Sequence, residues 1–421
     1  VVLPACFAAS LAISSPLWLG GRGYPPVPLI DGLPQPPAAA SVALFAAMLA
    51  ALAGAAVAPR PRAWLVAALG ICGAWAVLDQ TRWQPWFAYY VVGLFALLLH
   101  AGSGARARAK EASGWAFAPV QLFTVCMYVW SGIHKLNHRY LATDFLVTAR
   151  PLLGWLGVRA ADVPAAASHG AALLSAALEL GCGLLLLSPR WRRTAVVALT
   201  VMHAFILAMI GPLGAGWNPV VWPWNAAAVA ALWLLFWPDA AHARFAESAR
   251  SLGRRSRRLG GGRGSGDASP AVRYACIAVV GVFGVLPILS FAGTWFASLS
   301  FQLYAGKERI ALLYYDPGRV QALPPGARAV VRTPGQVNVA AWSLHELNAT
   351  PVMEERVLLR LARSLARQAP EAGVSLLVAS PPALLTGERT TRYFVFRGPD
   401  QQPVDMTGQV TVQLHEDAAA R

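Results

Sequence analysis

Charge is in short supply along this chain: 13% of its 421 residues are Asp, Glu, Lys or Arg, against 56% hydrophobic, and the mean hydropathy is +0.48. That balance excludes an ordinary soluble domain and points to an integral membrane protein. Cysteines are few and unpaired. Cys6, Cys72, Cys126, Cys182 and Cys276 all fall in apolar stretches, with no CxxC pair and no His/Cys spacing suited to zinc or an iron–sulfur cluster. Neither a disulfide framework nor a metal site is expected. A net charge of +15 would suggest nucleic acid in a soluble protein. Here the basic residues cluster between apolar runs, where they set topology, so the bilayer is the expected partner and nucleic acid is not.

What the chain has in quantity is apolar runs. They cover roughly residues 1–20, 38–58, 63–78, 85–100, 115–135, 165–187, 194–210, 221–237 and 274–296. Arg60/Arg62, Arg106 to Lys110, Arg190 to Arg193 and Arg244 to Arg263 fall on every second loop, as cytoplasmic segments should, with Arg139, Arg150 and Arg159 as exceptions. The expected fold class is therefore mainly α: a polytopic transmembrane bundle of about nine helices with a small C-terminal extracytoplasmic α/β domain. The expected organisation is a bundle over 1–240, a basic cytoplasmic linker at 241–272, a final transmembrane helix at 273–297 and the outer domain at 298–421. In that domain 327–332, 374–380 and 391–397 have strand patterns, and 351–368 a helical one. No nucleophile motif, phosphate loop or metal cluster stands out there. The chain begins at Val1 without a Met, which leaves room for earlier residues.

The most informative stretch runs from Phe123 to Asn137, where an apolar helix turns polar. Thr124, Tyr128, Ser131 and Lys135 are spaced four, three and four apart and share one helical face. Lys135 is an interfacial anchor or a functional group, because an ammonium in hydrocarbon must be paired, wetted or able to snorkel. Glu179 and His203 lie equally far from the Arg190–Arg193 turn, one on each arm of a hairpin, and are expected to pair across it, with Ser175 and Thr200 nearby. That pair is a packing hydrogen bond or a site, some 15 Å below Lys135 at about 1.5 Å per residue. Asp79 and Arg82, beside Trp83 and Trp86, suggest an interfacial ion pair in an aromatic belt. Trp222 and Asn225 follow a Gly/Pro-rich break at 211–220, and Trp217, Trp222 and Trp224 either stack on a flat ring or join the belt.

Tyr128-Val-Trp-Ser-Gly-Ile-His-Lys-Leu-Asn137, followed by Asp144, resembles the signature of the vitamin K-dependent gamma-carboxylase superfamily and its bacterial HTTM relatives. The resemblance spans roughly residues 60–240. It implies that Lys135, with His134 beside it, is the base that deprotonates a hydroquinone. In the carboxylases oxygen then generates a strong base that removes the γ-proton of a glutamate, and the carbanion captures carbon dioxide. The carboxylases carry Lys-Lys where this chain has His134-Lys135, and their other histidine motif and substrate-peptide regions have no match here.

Two functions compete on these grounds. One is a bacterial inner-membrane enzyme using a quinone or quinol, with Lys135 and His134 catalytic and Tyr128, Ser131, Glu179, His203, Trp222 and Asn225 binding substrate. The other is a membrane scaffold or assembly subunit whose outer domain binds a protein partner. The first predicts a cavity joining Lys135 to the Glu179 level, and the second a dry bundle with an apolar patch on 298–421. Haem binding through His203 is a third, weaker reading, since no second histidine sits at its depth.

Overall fold

The computed structural model describes residues 1–102, 115–239, 270–398 and 402–408. The basic stretches at Arg106 to Lys110 and Arg244 to Arg263, and nearly all of the expected linker at 241–272, lie outside the described residues. Among the described residues ten helices of ten or more residues precede the C-terminal region: α1 Val2–Ile13, α2 Ala38–Val57, α3 Arg62–Leu78, α4 Pro85–Gly102, α5 Ala118–Lys135, α6 Phe145–Trp155, α7 Ala165–Leu185, α8 Arg192–Ile210, α9 Val221–Leu235 and α10 Pro270–Ala292.

Five of these, α2, α4, α7, α8 and α10, are long and apolar enough to cross a membrane, fewer than the expected nine. The difference has local causes. The first run breaks at Ser14 and Pro16, α3 and α9 are 17 and 15 residues long, and α5 is loaded with polar side chains. The chain is an integral membrane protein by its apolar spanning helices.

α5 is the helix the others surround. It packs against α4, α7 and α10, and most of its residues are buried. A helix so placed must satisfy its polar groups internally: Gln121 Nε2 donates to the Leu235 carbonyl at 2.7 Å and Thr124 Oγ1 to the Val120 carbonyl at 2.8 Å. Two glycines let α5 and α7 approach backbone to backbone. A Cβ on Gly132 would stand 2.5 Å from the Leu180 nitrogen and 2.8 Å from the Ala176 carbonyl oxygen, and one on Gly183 would meet Val129 N at 3.0 Å.

Asp79 and Arg82 form the expected ion pair, at 3.8 Å, but within the protein and with Arg22 as a second cation. Both are buried, as is Trp86, and they tie the ends of α1 and α3 together. The Asp79 carboxylate accepts from Arg22, from Val27 N at 3.0 Å and from Thr81 Oγ1 at 2.8 Å, while Arg82 Nε donates to the Leu17 carbonyl at 3.1 Å. Burial pushes the Asp79 carboxyl up, but the Arg22 and Arg82 guanidiniums and these hydrogen bonds prevail and hold it below its usual range. The sequence pattern missed this because the ion-pair partner that matters, Arg22, lies 57 residues away.

The C-terminal region is mixed α/β, built on a five-stranded antiparallel sheet in the order β2-β1-β3-β4-β5: β1 Ile310–Tyr314, β2 Gln336–Asn338, β3 Ser375–Ala379, β4 Thr391–Val395 and β5 Val404–Asp405. β3 and β4 match the expected strands. Residues 327–332 do not: Pro325 opens a one-turn helix at Pro325–Ala329, a position where its fixed φ is favourable. Helix α11, Val339–Leu347, starts at Asn338, whose side chain caps Ala340 N and Ala341 N. α12, Glu355–Gln368, buries Val357, Leu358, Leu361, Ala362, Leu365 and Ala366 on one face.

This region does not stand apart from the helices. One hydrophobic cluster runs from Phe7 to Phe396. Glu346 accepts from Tyr24 N at 2.8 Å, Asn348 Nδ2 donates to the last carbonyl of α1 at 2.9 Å, and Gln84 Nε2 donates to the Thr350 carbonyl at 2.7 Å. The α/β region is thus seated on the bundle end formed by the end of α1 and the start of α4.

The glycine contact is testable. Gly132→Ala forces a methyl against backbone that cannot rotate away, and overpacking of that kind costs about 1–3 kcal/mol or more. It should lower the melting temperature of the purified protein by several degrees. Gly170→Ala, on α7 with nothing near its Cβ position, should leave it unchanged or raise it.

Candidate functional site

α5 stops at Lys135 because Leu136 leaves helical geometry and Asn137 takes over the free groups. Asn137 Nδ2 donates to the His134 and Ala305 carbonyls, both at 2.8 Å, and its Oδ1 accepts from Tyr140 N at 3.0 Å. This side chain ends the helix, starts the π-helical turn Tyr140–Asp144 and pins the segment before β1 onto the end of α5.

Lys135 and Glu179 are 6% and 5% exposed and form a salt bridge. Lys135 Nζ also donates to Ser131 Oγ at 3.0 Å, and Ser131 Oγ donates to Glu179 Oε2 at 3.0 Å, closing a three-membered polar ring. Close contact at Gly132 explains why the ring forms, since it brings the Ser131 and Lys135 face of α5 onto the Glu179 face of α7. The expected 15 Å separation of Lys135 from Glu179 is therefore wrong. α5 ends beside the C-terminal half of α7, and the stretch after it, including α6, packs back against α7 and α8.

The expected Glu179–His203 pair does not form either. His203 binds Tyr128 OH through Nε2 at 2.6 Å and Asn225 Oδ1 through Nδ1 at 2.7 Å. Asn225 uses its amide nitrogen on the Val221 carbonyl at 2.8 Å, so its oxygen accepts from His203 Nδ1–H and Tyr128 OH donates to Nε2. This chain joins α5, α8 and α9. With both ring nitrogens engaged, His203 has none free to ligate haem.

A cavity of about 240 Å³ lies in the wedge between α6, α7 and α8. Lys135, Glu179, Ser175 and Tyr140 supply its polar end, with Tyr140 OH and Ser175 Oγ 2.7 Å apart. Phe145 from α6 and Met202, Phe205 and Ile206 from α8 line much of the rest. An apolar cavity of roughly 150 Å³ accommodates a benzene ring, so this one has room for a small ring system. Of the sequence-based candidates, Lys135 and Glu179 line it and Ser131 binds both. Tyr128, His203 and Asn225 form the adjoining chain, outside the lining. Trp222 is removed from the cavity, its indole Nε1 donating to the Trp217 carbonyl at 3.3 Å.

His134 is turned away from Lys135, as consecutive residues on a helix must be. Its ring lies 4.9 Å from that of Phe291, nearly parallel to it, and its Nδ1 is 3.3 Å from Lys307 Nζ. Sequence reasoning missed Lys307, a buried ammonium 3.9 Å from the Phe291 ring centre, and also Tyr140. For Tyr140 the signal was its place five residues after Lys135, with Ser175 one turn before Glu179. Lys307 opens the charged triplet Lys307-Glu308-Arg309, and no local pattern pairs it with His134. Burial pushes the Lys307 amine down to about 8, with Glu308 acting in the opposite direction. Among the described residues no group of three His, Cys, Asp or Glu is placed to hold a metal ion.

Comparison of the chain with protein families, curated proteins and solved structures gives no match.

Two stability measurements probe these polar groups. Removing one partner of a buried ion pair leaves an uncompensated charge and costs about 3–5 kcal/mol, whereas replacing both with apolar side chains is near neutral. Glu179→Ala should therefore melt well below wild type, and Lys135→Met/Glu179→Leu should recover most of the loss. For Lys307, an unfolded lysine titrates near about 10.4. Between pH 8 and that value the unfolded chain binds more protons than the folded one, so stability contributed at this position rises with pH across the window. A plot of melting temperature against pH should rise less steeply in Lys307→Met.

Proposed function

We propose that this protein is a bacterial inner-membrane enzyme of the HTTM and gamma-carboxylase-like type that removes a proton from the hydroxyl of a quinol, with Lys135 as base. The proposed topology threads the shorter apolar helices and α5 through the bilayer beside the five long ones, about nine spans in all, with the α/β region outside. The observation that carries the reading is the Lys135–Ser131–Glu179 ring at the polar end of an otherwise apolar cavity.

A lysine paired with a carboxylate is protonated and cannot accept a proton. Glu179 supplies the way round this. Transfer of one proton from Lys135 Nζ to Glu179 converts two buried charges into a neutral amine and a neutral acid, and Ser131 remains bonded to both oxygen and nitrogen. Excluding water when a ring fills the cavity favours that neutral form, because desolvation is costly for ions. The free amine then takes the hydroxyl proton of the quinol and leaves the quinolate beside a new ammonium, which restores one opposite charge at the reacting oxygen. Tyr140 and Ser175 are within the same polar end and can hold the ring's second oxygen. His134, turned toward Lys307, has no direct part in this step.

The scaffold alternative expects a dry bundle and a broad apolar patch on 298–421. Among the described residues of that region the exposed large apolar side chains are Leu384 and Leu385, a small patch, and the open cavity favours ligand chemistry over scaffolding.

The test is turnover of a reduced quinone under oxygen by the purified protein, followed as redox-difference absorbance. Lys135→Met should lower kcat by about 10²-fold or more, the usual contribution of a general base. Its folding is to be verified beside Lys135→Met/Glu179→Leu. A Lys135→Met protein that folds and turns over quinol at the wild-type rate would sink the proposal.

A further inference from the structure

The cavity reaches the molecular surface on its α8 side. Val201 lines it and is 63% exposed. One turn before it on α8, Val197 is 45% exposed, and α7 and α8 are both long and apolar enough to cross a membrane. At the bundle end that carries the α/β region the same cavity is roofed by Tyr304. Asn218 Nδ2 donates to the Tyr304 hydroxyl at 3.4 Å and the Trp217 ring packs edge-on at 5.6 Å. Two non-glycine residues of this segment hold an unfavourable backbone shape, with φ of 57° at Phe301 and 51° at Tyr304, which only firm tertiary contacts maintain. Asn137, bonded to the Ala305 carbonyl, is one of those contacts.

We propose that the cavity is loaded sideways from the bilayer, by an amphiphile whose hydrogen-bonding ring sits at Lys135 and Glu179 and whose apolar tail leaves past Val201 into lipid. The identity of the ring rests on the quinol reading above; the route does not. The volume suits a ring but not a long tail, and the tail then stays in hydrocarbon with nothing in the protein needed to solvate it. A water-soluble substrate would have to displace the Tyr304 roof or cross the apolar face at Val201, and either route strips its hydration without replacement.

The route can be read without knowing the substrate. Full-length protein carrying Met202→Cys, at the cavity wall next to Val201, is placed in lipid nanodiscs. It is treated either with an uncharged methanethiosulfonate that dissolves in the bilayer or with a charged, membrane-impermeant one of the same reactive group. Modification of the peptide bearing residue 202 is followed by mass spectrometry, so the native cysteines stay in place. A charged reagent is excluded from hydrocarbon, so the uncharged one should react at least about tenfold faster, and Leu213→Cys, on the exposed turn after α8, should show no such preference. Equal rates at residue 202, or faster reaction with the charged reagent, would overturn sideways loading. Ala198→Cys, on the same wall, replaces Met202→Cys if that variant does not fold. A long-tailed isoprenoid quinol should protect Cys at 202 from the uncharged reagent. Lipid-side labelling without such protection leaves the route standing and removes the quinol as its occupant.

Discussion

The site depends on a single close approach, that of α5 to α7 at Gly132. Backbone contact there leaves no room for a side chain, and it sets the Ser131–Lys135 face of one helix against Glu179 of the other. In a membrane the apolar surfaces of helices gain little by leaving lipid for one another, so small residues and internal hydrogen bonds decide which helices touch. Here both act at one place. The glycines permit the approach, and the buried ammonium and carboxylate make any other pairing of α5 with α7 costly.

The same logic accounts for the crowding of polar groups onto α5. It is the helix most enclosed by protein, and protein is the only place in a bilayer where Gln121, Thr124, Tyr128, Ser131 and Lys135 can all find partners. Its two polar systems do different work. Lys135 and Glu179, joined by Ser131, line the cavity, where the proposed proton transfer takes place. Tyr128, His203 and Asn225 have every hydrogen-bonding atom committed to one another or to backbone, and their arrangement holds α5, α8 and α9 in register beside that wedge.

The α/β region belongs to this economy of contacts. It shares one core with the helices, and the segment leading into it roofs the cavity through Tyr304 and supplies Lys307 to His134. Asn137 ties that segment to the end of α5, so a short chain of contacts joins Lys135 to the α/β region: helix end, Asn137, Ala305, Tyr304. Seated in this way, the region acts as a cover on the bundle and not as a tethered module.

Composition and periodicity were enough to establish a membrane protein, the positions of its apolar helices, and Lys135 with its polar stripe as the stretch to explain. Those properties are local, set by which residues tolerate hydrocarbon and by the 3.6-residue turn. Strands 375–379 and 391–395 and helix 355–368 were legible for the same reason. Partner choice was not legible. Glu179 and His203 looked paired because they are symmetric about one turn, yet each bonds to α5, whose insertion between the hairpin and the rest of the bundle no spacing records. Lys135 looked remote from Glu179 because the contact of α5 with α7 leaves no mark in the spacing of either helix. Asp79 needed Arg22, and His134 needed Lys307, across 57 and 173 residues. The sequence by itself determined which groups had to be buried and satisfied; only the tertiary structure decided which of them satisfy one another, because that depends on how closely two backbones approach.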